Sequence, residues 1–362
     1  MPRLPTKLIL QAYKENPLLV DLIKECRTLE HARNELRWLS EGAVARVLNT
    51  EASPEGRHVG HSRRTWQQEL RRMCAGRGRG KPLQYILGDQ PFGDLEILCQ
   101  RGVLIPRAET ESYTSHARDI IMKGPYAKDF RKSLRILDLC SGSGCISLLL
   151  HSLLASDIKD LTIVGIDVDP QAIKLSQKNK LHNIRRGLLS SRAENEVYFI
   201  KFDILHSIQS GNSSLMGTLQ SHFHASNTNN TWDVLISNPP YISPSNLING
   251  TTTRSVRRYE PIKALVPPVV DSSIWQDSGF EYVAREDIFY AVLLSLVDQL
   301  CVKVTVLECG DLEQAQRVVT MARALFEKVG DIAKQRVYIW DDCYTVNDDD
   351  GGARAVIIER LP

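Results

Sequence analysis

Ile136-Leu137-Asp138-Leu139-Cys140-Ser141-Gly142-Ser143-Gly144-Cys145-Ile146-Ser147-Leu148-Leu149-Leu150-His151 reads as a buried strand, a glycine turn and an apolar helix. A Gly-x-Gly turn between strand and helix lets the backbone come close to a ligand. The spacing is not the full Gly-x-Gly-x-x-Gly fingerprint, so a packing turn without a ligand would read the same way. Working outward from Leu134, the chain alternates strand and helix, the pattern of a parallel sheet wrapped by helices. Candidate strands are Arg135–Leu139, Thr162–Ile166, Val197–Lys201, Val234–Ser237, Val302–Leu307, Arg336–Trp340 and Ala355–Glu359. With the last two joined as a hairpin, they predict a seven-stranded, doubly wound α/β sheet with an antiparallel edge.

The strand tips carry chemistry. Asp167 follows Ile163-Val164-Gly165-Ile166, the position where a carboxylate accepts bonds from ribose hydroxyls. Asp169-Pro170 then opens a helix, with proline favoured in its first turn. Asp203, after Tyr198-Phe199-Ile200-Lys201, could accept from an adenine amino group, and Ile204 could line the ring. Singly, each acid could be a loop or helix cap. The fourth strand ends in Asn238-Pro239-Pro240-Tyr241. Two prolines cannot continue a ladder, having no N–H to donate, so the chain leaves the sheet with the Asn238 side chain at its carboxyl edge. The Asn238 oxygen and the turn's carbonyls can accept from a planar NH2 group, and Tyr241 can pack on its flat face. Asp138, Asp167 and Asp203 at successive strand tips, followed by this turn, predict S-adenosylmethionine at the first three strands and a methyl acceptor at the fourth.

Composition excludes several classes. The 362 residues are 43% hydrophobic, enough for one large or two smaller cored domains, and a net charge of +2 makes no global case for nucleic acid or membrane. No apolar run approaches the roughly 18 residues of a membrane span. The 8 cysteines form no Cys-x-x-Cys pair, so free thiols are expected and no metal site is suggested. The first residues carry Arg3, Lys7 and Lys14 with no acid before Glu15, compatible with an organellar targeting segment or an ordinary basic helix. Leu8 to about Arg72 reads as helices, with breaks at Asn16-Pro17 and in the turn-rich stretch from Thr50 to His61. Arg57–Lys81 is basic, with Glu69 its one acid; it suits RNA or an acidic partner, or a solvated surface. Pro91-Phe92-Gly93 and Leu95–Cys99 predict a hairpin. His206–Thr231 reads as a long, mobile polar insertion, and residues 181–194 as a second one.

Further stretches carry a resemblance. Pro82-Leu83-Gln84-Tyr85-Ile86-Leu87-Gly88, Gly102-Val103-Leu104-Ile105-Pro106-Arg107-Ala108-Glu109-Thr110-Glu111, Asp138–Ile146, Asn238–Tyr241, and Tyr259-Glu260-Pro261 with Ala264-Leu265 resemble signatures of the HemK-like protein-(glutamine-N5) methyltransferases of translation release factors. The resemblance implies a Class I S-adenosylmethionine-dependent methyltransferase fold. It further implies residues 1–80 as a helical substrate-recognition domain, 81–111 as a β-hairpin linker, and 112–362 as the Rossmann-like catalytic domain. Asp138, Cys140, Ser141, Gly142, Ser143, Gly144, Asp167, Asp203, Ile204, Asn238 and Arg107 would bind the cofactor. Asn238, Pro239, Pro240 and Tyr241 would bind and activate the acceptor. That acceptor would be the glutamine of the Gly-Gly-Gln tip of a class 1 peptide chain release factor. An N-terminal helical domain, with the basic start, favours a mitochondrial enzyme of a eukaryote; a bacterial, cytoplasmic one is the alternative. A monomer without stably bound nucleic acid or membrane is expected. Two positions depart from the family pattern. Cys140 stands where glycine is usual and could crowd the methionine tail, and Ala108 replaces a usual proline.

Two rivals share the residues. An N6-adenine methyltransferase of DNA or RNA would use the same turn, because an exocyclic amine has the geometry of a carboxamide; against it, no separate target-recognition region or aromatic-rich basic groove is evident. A non-catalytic scaffold of the same fold is the other, and the intact turn and acids argue against it.

Overall fold

In the computed structural model, residues 3–52, 65–205, 215–223, 231–270, 283–330, 334–341 and 354–362 are described. They divide into two compact units, one spanning Met1–Asp89 with Ile248–Glu260, the other Gln90–Leu247 with Pro261–Pro362.

The first unit is helical. Helices Thr6–Glu15, Leu19–Cys26, Leu29–Ala52, Trp66–Gly78 and the short Leu83–Leu87 follow one another. Apolar residues at helical spacing build the core: Leu19, Leu22 and Ile23 meet Ala32, Leu39 and Ala43, with Leu70, Met73 and Cys74 closing it. Thr65 starts the fourth helix through a reciprocal capping box with Gln68. Within the basic stretch, Arg72 is paired with Glu69, and Arg77 clasps Glu35 through two bonds of 2.8 and 2.9 Å. Those two charges are answered inside the unit; Arg57, Arg63 and Arg64 lie outside the described residues. Ile248–Glu260, which sequence reading assigned to the catalytic domain, bonds within this unit. Ser255 Oγ donates to the Gly80 carbonyl at 2.9 Å, and Tyr259 to the Arg79 carbonyl at 3.4 Å.

From Gln90 the second unit holds most of a hairpin, β1 (Asp89–Phe92) and β2 (Leu95–Leu98), and continues into a seven-stranded sheet. Its strands are β3 (Ser133–Leu139), β4 (Asp160–Asp167), β5 (Val197–Lys201), β6 (Val234–Ser237), β7 (Val304–Glu308), β8 (Gln335–Asp341) and β9 (Arg354–Arg360). The order is β5-β4-β3-β6-β7-β9-β8; β3 to β7 run parallel, and β9 is antiparallel to both neighbours. This is the doubly wound sheet with an antiparallel edge that the alternating pattern predicts. Both faces are covered, so the central strands are apolar almost throughout. Along β3, Leu137 and Leu139 enter one core with helix Ile288–Gln299, while Leu134 and Ile136 enter the other with helix Cys145–Leu154. Chain order reverses at β3, which has β4 on one side and β6 on the other, so the ligand crevice lies outside its carboxyl end.

Two insertion readings are corrected. Leu215–His222, inside the 206–231 segment, is a helix whose Leu215 and Leu219 are buried in the main core. The four-residue spacing of those leucines was masked by Ser, Asn and Gly around them; residues 206–214 and 224–230 lie outside the described residues. Residues 181–194 complete helix Pro170–Arg185 and bury Leu189 and Ala193, so they belong to the packed framework.

Candidate active site

Strand registers set the site. Leu139 of β3 is paired with Ile166 of β4 and with Ser237 of β6, and Asp167 with Lys201 of β5. The residues that follow, Cys140, Asp167, Asp203 and Asn238, therefore emerge along one edge. A cavity of about 480 Å3 lies there. Arg107, Cys140, Ser141, Gly142, Ser143, Asp167, Asp203, Ile204, Asn238 and Pro240 line it.

The glycine turn is shaped for a ligand. Gly142 and Gly144 adopt φ of +53° and +79°, and Cys140 adopts +64°. A Cβ on Gly144 would meet Phe199 at 2.7 Å and Ser176 at 2.8 Å, whereas above Gly142 there is open space. Cys140 holds a left-handed conformation that costs an L-residue roughly 1–2 kcal/mol, a physical reason for glycine there. The Asp167 carboxylate braces the turn: Oδ2 accepts from the Gly142 N–H at 2.9 Å and Oδ1 from the Asp169 N–H at 2.8 Å. Each oxygen keeps a lone pair for another donor. Burial pushes the Asp167 carboxyl above its ordinary value, and the two backbone donors oppose that shift. The open cradle at Gly142, the two free lone pairs and the apolar Ile204 and Phe289 fit an adenosyl group with a polar tail.

Four predicted site residues stand off the cavity. Asp138 is 0% exposed, and its Oδ2 takes the Ser147 N–H at 3.1 Å and hydroxyl at 2.6 Å. It anchors the helix behind the turn, because the strand's alternation points it into the protein. Burial raises its carboxyl to about 7. Gly144 caps the same helix. Pro239 is buried beneath the turn. The Tyr241 hydroxyl donates to Glu308 Oε1 at 3.1 Å, and its ring packs against the core, outside the cavity lining.

Several residues were not singled out from sequence. Asn238 Nδ2 donates to Thr110 Oγ1 at 3.2 Å, and Thr110 Oγ1 donates to Glu308 Oε2 at 2.8 Å. Glu308 is buried at the end of β7, and burial raises its carboxyl above the ordinary range while donors led by Thr110 oppose that. The rule that found Asp167, an acid closing an apolar strand, finds Glu308 when applied to β7. Gln314 Nε2 donates to the Tyr241 carbonyl at 3.2 Å, fixing the far side of the turn. Pro261–Ala264 lines the cavity, and Lys263 Nζ meets Asp169 Oδ2 at 2.6 Å.

No family model matches the chain. Among curated relatives, "Probable MRF1 mitochondrial N(5)-glutamine methyltransferase mtq1" of Schizosaccharomyces pombe is 35% identical over 264 residues, 73% of this chain and 73% of the relative. "Mitochondrial MRF1 N(5)-glutamine methyltransferase MTQ1" of Saccharomyces cerevisiae is 33% identical, over 74% of this chain and 68% of the relative. Among solved structures, the human Mettl16 catalytic domain in complex with an RNA hairpin covers 80% of this chain and 81% of that one, with 16% identity and a TM-score of 0.44. The extent and identity of the two fungal matches assign this chain to the N(5)-glutamine methyltransferase family.

Proposed function

We propose that this chain transfers the methyl group of S-adenosylmethionine to the side-chain nitrogen of a glutamine, that of the Gly-Gly-Gln tip of a mitochondrial class 1 release factor. The observation that carries the reading is one cavity edge holding Asp167, Asp203, the glycine turn and the Asn238 carboxamide. The relatives' names, which specify MRF1 and the mitochondrion, support the acceptor and the compartment.

Asp167 would accept the ribose hydroxyls and Asp203 the adenine amino group, with Ile204 beside the ring. Cys140–Gly144 would hold the methionine tail, with Arg107 also lining the cavity. When bound, the cofactor supplies an electrophilic methyl carbon on a sulfonium. A carboxamide nitrogen is a poor nucleophile, because its lone pair is delocalised into the carbonyl. Asn238 Oδ1 and a carbonyl of the turn that follows it would accept its two hydrogens and turn the nitrogen toward the methyl carbon. Such alignment is worth roughly 7–11 kcal/mol in favourable systems. Acceptors that strengthen as positive charge develops on nitrogen add stabilisation of the transition state. The N–C bond would form as the C–S bond breaks, and one amide proton would leave to solvent. The helical unit, residues 1–80 with Ile248–Glu260, would engage the release factor, and the protein would act as a monomer.

Intact mass spectrometry of a recombinant mitochondrial release factor, incubated with the chain and S-adenosylmethionine, tests this. One added methyl group on the Gly-Gly-Gln glutamine is expected, and its loss in Asn238→Ala. Label from the cofactor appearing on nucleic acid instead would refute the reading.

A further inference from the structure

Asn238 presents two ends of nearly equal shape, an acceptor oxygen and a donor NH2, and a half-turn about its last torsion exchanges them. Only one orientation suits an NH2 substrate, with the oxygen facing the cavity. The reversed amide would set donors against donors. Something must choose, and the turn's backbone does not.

We propose that Thr110 and Glu308 are positioning residues that set the direction of the Asn238 carboxamide, an inference that rests on the function proposed above. The argument follows a single proton. Thr110 has one hydroxyl hydrogen, and it lies on Glu308 Oε2 at 2.8 Å. On that oxygen Glu308 is the acceptor. Its other oxygen is occupied by the Tyr241 hydroxyl at 3.1 Å. The Thr110 oxygen therefore faces Asn238 with lone pairs alone and can only accept from it. Nδ2 sits there at 3.2 Å, and a reversed amide would oppose lone pair to lone pair.

The scaffold around this relay is held independently. Thr114 Oγ1 donates to the Thr110 carbonyl at 2.6 Å, fixing the first turn of helix Ala108–Lys123. Tyr290 donates to the Glu308 carbonyl at 2.7 Å, fixing the end of β7. Asn238, Thr110, Glu308 and Tyr241 thus close a ring through the backbone of the catalytic turn. Glutamine at 308 keeps the shape but must turn its NH2 to Thr110 or to Tyr241. Toward Thr110 it donates, and the hydroxyl hydrogen of Thr110 then swings to Asn238 and favours the wrong orientation.

The test is steady-state methylation of a recombinant mitochondrial release factor by the full chain, with S-adenosylmethionine affinity measured by calorimetry. T110V should lower kcat by about 10- to 100-fold, the worth of one orienting hydrogen bond at the reacting centre, with cofactor Kd within about twofold of the parent. T110S restores the hydroxyl and should recover most of the lost kcat. E308Q should lower kcat at least comparably, since it also disturbs the Tyr241 bond, and T110V/E308Q should be no slower than E308Q alone, because Thr110 sets Asn238 only through its bond to Glu308. Should E308Q fail to fold, the T110V and T110S pair carries the test. A T110V enzyme within about threefold of the parent kcat, or effects of the two substitutions that multiply, would overturn the inference. A parent enzyme that binds cofactor yet leaves the release factor unmethylated would instead refute the functional reading, and this inference with it.

Discussion

Asn179 offers a stringent test of how the glycine turn is held. It is fully buried on helix Pro170–Arg185. Its Oδ1 accepts from the Leu98 N–H at 2.8 Å, while Nδ2 donates to the Ser143 carbonyl at 2.9 Å and, at 3.3 Å, to the Leu98 carbonyl. Asn183, one turn on, accepts from the Glu96 N–H and donates to the Glu96 carbonyl, each at 3.0 Å. Two carboxamides thus act as a substitute strand for β2 and tie the hairpin to the turn through Ser143. Asn179→Ala leaves one N–H and two carbonyls without their partner. An orphaned buried group costs about 1–3 kcal/mol, and water reaching half-buried Leu98 softens part of that, so a loss of about 2–4 kcal/mol is expected. At roughly 2–4 °C per kcal/mol, the sheet unit should melt roughly 5–15 °C lower. S-adenosylmethionine affinity should also fall, by about three- to tenfold, because Ser143 lines the cavity. Asn179→Asp separates the contributions. It can still accept from Leu98 but sets a carboxylate against two carbonyls, and should be at least as damaging as alanine at pH 8. Calorimetry of melting and of cofactor binding reads both effects. An alanine variant melting within about 2 °C of the parent would refute the reasoning.

Other outcomes follow from the same geometry. Asp167→Ala removes the brace on Gly142 and two lone pairs facing the cavity; calorimetry should register at least a tenfold weaker cofactor, since hydrogen bonds to a charged group are worth about 1.5–3 kcal/mol each. For Asp138, burial moves the carboxyl from 3.8 to about 7. Between those values the unfolded chain ionises while the folded one keeps its proton, so stability falls as pH rises from about 4 to about 7 and then levels, by on the order of 4 kcal/mol. Asp138→Asn should flatten that slope in urea unfolding at pH 5 and pH 8, and equal slopes in both proteins would reject the assignment. Cys140→Gly should relieve roughly 1 kcal/mol of left-handed strain and tighten cofactor binding; a weaker cofactor would mean the thiol contributes a contact.

Much of this site is written locally in the chain. Pro239-Pro240 forces the exit from β6 at Asn238, and Asp167 and Asp203 follow apolar strands whose type can be read from periodicity and length. What stays hidden depends on partners distant in sequence. Thr110 meets Glu308 and Asn238 only because helix Ala108–Lys123 packs at the ends of β6 and β7. Asn179 and Asn183 look like polar interruptions of a helix until β2 is laid against them. Asp138 illustrates the opposite error: an acid at a strand tip suggests ligand contact, yet its place in the pleat turns it toward Ser147.

The segment Ile248–Glu260 belongs to the helical unit although it is encoded between the catalytic turn and the Pro261–Ala264 wall. A chain that began at Gln90 would still carry Ser255 and Tyr259 but not the Gly80 and Arg79 carbonyls they bond. Anyone exchanging recognition helices between relatives must therefore transplant two pieces, not one. A graft of the amino-terminal piece alone would ask a foreign bundle to accept a native clasp.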